Sequence, residues 1–223
     1  MTAELKKRII TSIILFALVF FCVFSHVGIF IITVFVISYF IFNEIRNINH
    51  RILRKKTFLL NTISLFYILV IFSVAAISLY RVAGPVFLFY ILLICIFSDI
   101  GGYFVGKKIG GKKLTKISPN KTISGSIGSF CFSFIPLIVF STLGIFGDLY
   151  NVKNFLLCLL VSLVCQLGDL FISYLKRRAK VKDTGKILPG HGGLLDRIDG
   201  IIFAIPFAYI YLVDLGNYFK ILF

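Results

Sequence analysis

The residues best suited to chemistry lie in one polar stretch, Ser173 to Asp199, which reads SYLKRRAKVKDTGKILPGHGGLLDRID between two apolar segments. It holds seven of the 24 Lys and Arg residues, three of the nine carboxylates and one of the three histidines. Lys176, Arg177, Arg178, Lys180, Lys182 and Lys186 form a cationic cluster suited to phosphate oxygens, the arginines by bidentate pairing. The Pro189-Gly190-His191-Gly192-Gly193 turn lets the backbone approach a ligand closely. Asp196 and Asp199 follow at i and i+3, a spacing that puts both carboxylates on one side of a helix. Carboxylates so presented, with phosphates completing the shell, suit magnesium. Arg197 between them serves as a charge partner or a phosphate clamp. The stretch points to a phosphorylated substrate and a metal.

Two further features belong with it. Asp99, in Ser98-Asp99-Ile100-Gly101-Gly102-Tyr103, and Asp169, in Gln166-Leu167-Gly168-Asp169-Leu170, sit inside apolar runs, where a carboxylate is costly enough to require a reason. Ser118-Pro119-Asn120-Lys121-Thr122-Ile123-Ser124-Gly125 precedes another apolar run. Its turn proline, lysine and hydroxyls at a helix start read either as a phosphate cradle or as an N-cap. Its glycine spacing is not that of a Walker loop. Asp148 and Asp214 have no partner motif and read as structural.

The elements that must position these groups are membrane helices. The chain is 59% hydrophobic and 15% charged, with a mean hydropathy of +1.00, outside the range of soluble domains. A crossing takes roughly 20 apolar residues as helix, and lipid leaves no partner for unpaired backbone groups, so long continuous runs are helices and not barrel strands. The spans run Ile9 to Ser25, Val27 to Asn43, Phe58 to Leu79, Pro85 to Val105, Ile123 to Phe146, Phe155 to Leu175, and Gly200 to about Phe219. This predicts an all-α, polytopic bundle of about seven transmembrane helices in a single membrane domain over residues 1–223. The helices of 1–84 are less characteristic, and the catalytic part covers about 85–223.

Loop charge sets the orientation. Alternate loops carry Lys6, Lys7 and Arg8; Arg46, Arg51, Arg54, Lys55 and Lys56; Lys107, Lys108, Lys112, Lys113, Lys116 and Lys121; and the seven cations from Lys176 to Arg197. The opposite set carries only Arg81, Lys153 and Lys220. Cations are retained on the cytoplasmic side, so the N-terminus and the polar loops are expected there, in a bacterial inner membrane. The formal net charge of +15 thus describes one face, suited to anionic lipid and phosphorylated metabolites. The charge of the 43–57 loop reads as topology and lipid adhesion. Nucleic acid is not expected as a partner, since the basic loops lack interleaved aromatics. The first apolar run is too long, and lacks the cleavage site, for a secretory signal. Cys22, Cys95, Cys131, Cys158 and Cys165 lie within spans without metal or redox spacing and behave as small apolar residues.

The pattern Ser173-x-Leu175-Lys176-Arg177-x4-Lys182-Asp183-x-Gly185-x2-Leu188-Pro189-x-His191-Gly192-Gly193-Leu194-x-Asp196-Arg197-Ile198-Asp199 resembles, position by position, the motif of the phosphatidate cytidylyltransferases. Ser118-Pro119-x-Lys121-Thr122-x2-Gly125 and Asp99-x-Gly101-x-Tyr103 resemble two further motifs of that family, in the same order. The resemblance implies that CTP and phosphatidate condense to CDP-diacylglycerol and pyrophosphate in phospholipid biosynthesis. It implies Mg2+ held by Asp169, Asp196 and Asp199, with a second cation left open. Lys176, Arg177, Lys182 and Arg197 would hold phosphates, and Asp99, Ser118, Pro119, Lys121, Thr122 and Gly125 would lie on the nucleotide side. Asp183 and His191 would order the loop, and a homodimer in membrane lipid is suggested. The chain departs from the pattern at Ser124 and Ile172, where glutamate is common. Two rival readings are a cytidylyltransferase acting on an isoprenoid or other lipid phosphate, and a non-enzymatic transporter or scaffold. Against the second, no two similar halves are apparent.

Overall fold

A computed structural model describes residues 3–52, 57–145, 151–185, 187–188 and 192–214. His191, Pro189, Gly190, Lys186, Arg54, Lys55, Lys56, Asp148, Lys220 and the end of the last predicted span fall outside the described residues. The described chain is helical, with isolated bridge pairs in place of strands. The helices are α1 (Ala3–Phe24), α2 (Val27–Ile52), α3 (Thr57–Phe66), α4 (Ser73–Ile109), α5 (Ile123–Ser133), α6 (Ile135–Thr142), α7 (Val152–Arg178), α8 (Leu195–Ile198) and α9 (Ile201–Asp214). A π-helical turn, Tyr67–Phe72, joins α3 to α4. Long apolar helices with lipid-compatible faces make this an integral membrane protein.

Each break has a local cause. At the α1–α2 corner His26 Nδ1 accepts from Gly28 N (3.1 Å), and the Ser25 carbonyl accepts from Tyr80 OH (3.1 Å), which fastens the corner to α4. The run Thr57–Ile109 holds 53 residues. At 1.5 Å per residue that is about 80 Å, against a hydrocarbon core of about 30 Å. Gly84, at φ 81° and ψ 168°, breaks it immediately before Pro85. The third and fourth predicted spans are therefore separate, joined by a single non-helical residue and not by a loop. In the fifth span Pro136 starts α6 anew after Phe134.

Two boundaries differ from the sequence reading. The predicted 43–57 loop is helical as far as Ile52, because the buried stripe Phe30, Val34, Ser38, Ile41, Ile45 and Ile48 continues past the span and holds α2 on the bundle. The sixth span continues through Lys176, Arg177 and Arg178, which form the last turn of α7, where cations oppose the negative end of the helix dipole. The core lies where α4, α7 and α9 meet, and includes the fully buried Leu88, Ile91, Ile94, Val161, Ile202 and Ala204.

Helix α4 also meets α5 at backbone distance. A Cβ on Gly101 would lie 2.5 Å from the Gly128 carbonyl oxygen, and one on Gly128 2.5 Å from Val105 Cβ. Only glycine permits this approach. It brings the start of α5 against the end of α4 that carries Asp99.

Candidate active site

After α4 the chain turns at Gly110 and Gly111, both at positive φ, and returns as a short two-stranded loop. Leu114 N donates to the Lys121 carbonyl (2.8 Å) and Ile123 N to that of Lys112 (3.0 Å). Pro119 and Asn120 form the tip of a turn closed by Lys121 N donating to the Ser118 carbonyl (3.0 Å). Thr122 then caps α5, its Oγ1 accepting from Gly125 N (3.1 Å). The N–H groups of Ile123 and Gly125 are thus used by the Lys112 carbonyl and Thr122 Oγ1, so this helix start works as an N-cap. Lys121 and the helix dipole add attraction for an anion.

This loop, α4, α5 and α7 enclose a cavity of about 350 Å³. Asp99 and Tyr103 line it from α4, Ser118, Asn120, Lys121 and Thr122 from the loop, Gly125, Ser126 and Ser129 from α5, and Gln166 and Asp169 from α7. Five of the six residues expected on the nucleotide side are here, and Pro119 instead shapes the turn, exposed. Gln166 was not singled out from the sequence. It accepts from Ser126 Oγ (2.6 Å) and donates to Ser162 Oγ (3.3 Å), tying α5 to α7 across the cavity floor. An amide inside an apolar span was the available signal.

Lys121 Nζ makes an ion pair with Asp169 across the cavity, and Ser173 Oγ donates to Asp169 Oδ1 (3.3 Å). Asp99 is in electrostatic contact with Asp169, Lys121 and Arg197. Asp199, in the turn before α9, completes the acidic group. Burial, then the charge of Asp169, its hydrogen bond with Asp169 and the charge of Asp99 push the Asp199 carboxyl well above the usual carboxylate range.

Asp196 does not join them. Its Oδ1 accepts from Lys176 Nζ (2.8 Å), and its Oδ2 accepts from Thr184 N (2.8 Å), Gly193 N (3.0 Å) and Thr184 Oγ1 (3.1 Å). Burial opposes its ionisation, but these hydrogen bonds, that of Lys176 first, outweigh burial and hold its carboxyl below the usual range. Of the expected set Asp169, Asp196 and Asp199, the structure brings Asp169 and Asp199 together and binds Asp196 to Lys176. Asp199 caps α8 with helical φ −57° and ψ −36°, so the i, i+3 spacing holds in the backbone, but Asp196 is bound to Lys176, Thr184 and Gly193 while Asp199 stands with Asp169. Among the described residues no three His, Cys, Asp or Glu side chains form a group able to hold a metal alone. A magnesium ion needs only one or two carboxylates when phosphates and water complete its shell, and the Asp169–Asp199 pair meets that need. The Lys121 ammonium already stands at Asp169 as a cation.

Of the cations, Lys176 is engaged by Asp196 and mostly buried, whereas Arg177, Lys182 and Arg197 are exposed. Asp183 is exposed too, packed beside Gly192. Ile172 is buried in the core, and Ser124 bonds to Thr122 Oγ1 (3.0 Å) and to the Gly110 carbonyl, so neither supplies a carboxylate. One acid from outside these motifs enters the site: Glu44 of α2, which is buried and bonded to the 184–195 loop.

The model of the Cytidylyltransferase family matches residues 50–214, which include every residue lining the cavity. The chain belongs to that family. It is 42% identical over 127 residues to the phosphatidate cytidylyltransferase of Bacillus subtilis (strain 168), an alignment covering 56% of this chain and 47% of that protein. It is 40% identical over 134 residues to that of Helicobacter pylori (strain J99 / ATCC 700824), covering 58% and 48%. With that of Staphylococcus aureus (strain COL) it shares 44% over 139 residues, covering 60% and 52%. The chain spans about half the length of the curated relatives it matches. In this member of the family the polar segments converge from α4, α5, α7 and the α7–α9 connection on one end of the bundle.

Proposed function

We propose that this cytidylyltransferase transfers the cytidylyl group of CTP to phosphatidate, giving CDP-diacylglycerol and pyrophosphate. The observation that carries the reading is the cavity at the α4–α5 crossing, where Lys121 faces Asp169 and the acidic group continues to Asp99 and Asp199. A pocket of this size lined by Lys121 suits a nucleotide triphosphate, and its position at the end of apolar helices suits a lipid partner. The similarity to phosphatidate cytidylyltransferases supports the same substrates.

In the reaction a phosphatidate oxygen attacks the α-phosphorus of CTP. The new P–O bond forms as the bond to the β-phosphate oxygen breaks, and pyrophosphate leaves with that electron pair. Lys121 exchanges its contact with Asp169 for a nucleotide phosphate. Asp169 and Asp199 would hold Mg2+, which would supply charge neutralisation for the departing pyrophosphate. Arg177, Lys182 and Arg197 are exposed, Arg197 within electrostatic reach of Asp99, and orient the two phosphorylated substrates. Lys176 acts through Asp196 and orders the loop. By the loop-charge asymmetry, this end of the bundle faces the cytoplasm, where CTP is available.

The test is pyrophosphate release by detergent-purified protein given CTP, Mg2+ and phosphatidate, with each omitted in turn and the lipid product identified by mass spectrometry. Release that requires all three, with CDP-diacylglycerol formed, is the expected result. Release with a polyprenyl phosphate but not with phosphatidate would move the acceptor to another lipid class. No release with either would overturn the reading.

A further inference from the structure

Helix α2 delivers a carboxylate to the site from outside the segment that matches the family model. Glu44 is 3% exposed. Its Oε1 accepts from Leu194 N (2.9 Å), and its Oε2 accepts from Leu195 N (2.9 Å) and Thr184 Oγ1 (2.6 Å). A buried carboxylate with three donors, two of them backbone, is a strong and directional anchor.

The loop is shaped around this carboxylate. A Cβ on Gly185 would lie 2.6 Å from Glu44 Oε1, and one on Gly193 would overlap both Glu44 Oε2 and Thr184 Oγ1. Two glycines of the polar stretch are thus required by the acid seated between them, and not by a turn, since neither is at positive φ. Thr184 stands between two carboxylates, with Glu44 on one side and Asp196 on the other. Leu195, whose N–H Glu44 holds, is the first residue of α8, and α8 leads directly into Asp199. The seating of α8 on Glu44 therefore fixes where Asp199 stands beside Asp169.

We propose that Glu44 is a positioning residue of the transfer reaction, anchoring Thr184 and the start of α8 from α2 so that Asp199 is presented to Asp169. The role in turnover rests on the cytidylyl-transfer reading above; the anchoring itself does not. Groups that orient metal-holding side chains typically contribute about 10- to 100-fold.

The experiment compares wild type with Glu44→Gln, Glu44→Asp and Thr184→Val, measuring kcat, the KM for CTP, the Mg2+ concentration for half-maximal rate, and amide hydrogen exchange. Glu44→Gln keeps the size but turns an NH2 group toward a backbone or hydroxyl donor. It is expected to lower kcat and raise the Mg2+ requirement about 10- to 100-fold, with the CTP KM changed far less. Exchange at Leu194 and Leu195 rises while exchange in α4 and α7 is unchanged, and Glu44→Asp recovers part of the rate. Wild-type kcat and Mg2+ dependence in Glu44→Gln would overturn the proposal, as would exchange that rises equally through α4 and α7. Should Glu44→Gln fail to fold, Thr184→Val removes one donor from the loop side, and wild-type kinetics in that variant would overturn the proposal. If wild type itself releases no pyrophosphate, the transfer reading falls alone. Exchange at Leu194 and Leu195 in Glu44→Gln then decides the anchoring, faster exchange supporting it and unchanged exchange overturning it.

Discussion

Lys121 and Asp169 face each other across the cavity as an ion pair, one from the turn before α5 and the other from within α7, with side chains 26% exposed in each case. Lys121 is the cation nearest an acidic group that otherwise repels itself. Its removal should do two things: leave Asp169 uncompensated beside Asp199 and take away a phosphate contact. Lys121→Met is therefore expected to lower kcat/KM for CTP by about 10²- to 10³-fold, a range typical for loss of one charged transition-state contact. Pyrophosphate release against CTP concentration measures it. A value within twofold of wild type would show that Lys121 touches no substrate phosphate.

The two aspartates of the polar stretch should fail in different ways. Asp199→Asn removes a carboxylate from the pair that suits a cation, so turnover is expected to vanish with the fold intact and with Mg2+ binding weakened. Asp196→Asn leaves that pair in place and instead disturbs the contacts to Lys176, Thr184 and Gly193. Its activity should fall with a loss of thermal stability, because buried donors are left poorly matched. Mg2+ titration monitored by thermal shift separates the two. An Asp196→Asn protein with wild-type melting temperature and lost Mg2+ response would return Asp196 to the metal.

Hydropathy alone located the helical segments, because each crossing must bury its backbone polar groups and so runs apolar from end to end. Residues that line the cavity were also legible, since Asp99, Lys121, Thr122 and Asp169 are conspicuous in so apolar a chain. The partners of Asp196 were not legible, because Thr184 and Gly193 are brought to it from the segment before α8, and spacing along a helix says nothing of them. Glu44 was passed over as part of a basic segment. Its signal was positional: it falls between Ile41 and Ile45 on the buried stripe of α2, where a carboxylate demands partners. Those partners lie some 140 and more residues away, at Thr184, Leu194 and Leu195, and no local pattern reveals them.

The Asp196 contacts also predict an acid dependence. Its native carboxyl ionises below the usual range, chiefly through Lys176 and the loop amides acting against burial. The contribution to stability is then complete above about pH 4, the ordinary aspartate value, and is lost as pH falls through the lower native value. The difference in melting temperature between wild type and Asp196→Asn should accordingly be constant from pH 7 to 5 and shrink below pH 4. A difference that stays constant down to pH 3 would mean that Asp196 is not held ionised by these partners.

The α4–α5 crossing gives a prediction about packing. A methyl group at position 128 would meet Val105 Cβ at 2.5 Å and the Gly101 carbonyl oxygen at 2.8 Å, and backbone cannot rotate away as a side-chain tip can. Gly128→Ala should therefore push α5 from α4 and cost about 1–3 kcal/mol, the usual range for overpacking. Since α5 carries Thr122 and Lys121 at its start, the same displacement widens the cavity and should raise the KM for CTP. Cys131 lies on the exposed face of α5, three residues on. Cys131→Ala is the matched control and should change stability by no more than about 0.5 kcal/mol. Thermal unfolding in detergent and CTP kinetics on both variants decide the matter: equal effects at 128 and 131 would mean that the close crossing does not set the geometry of the nucleotide side.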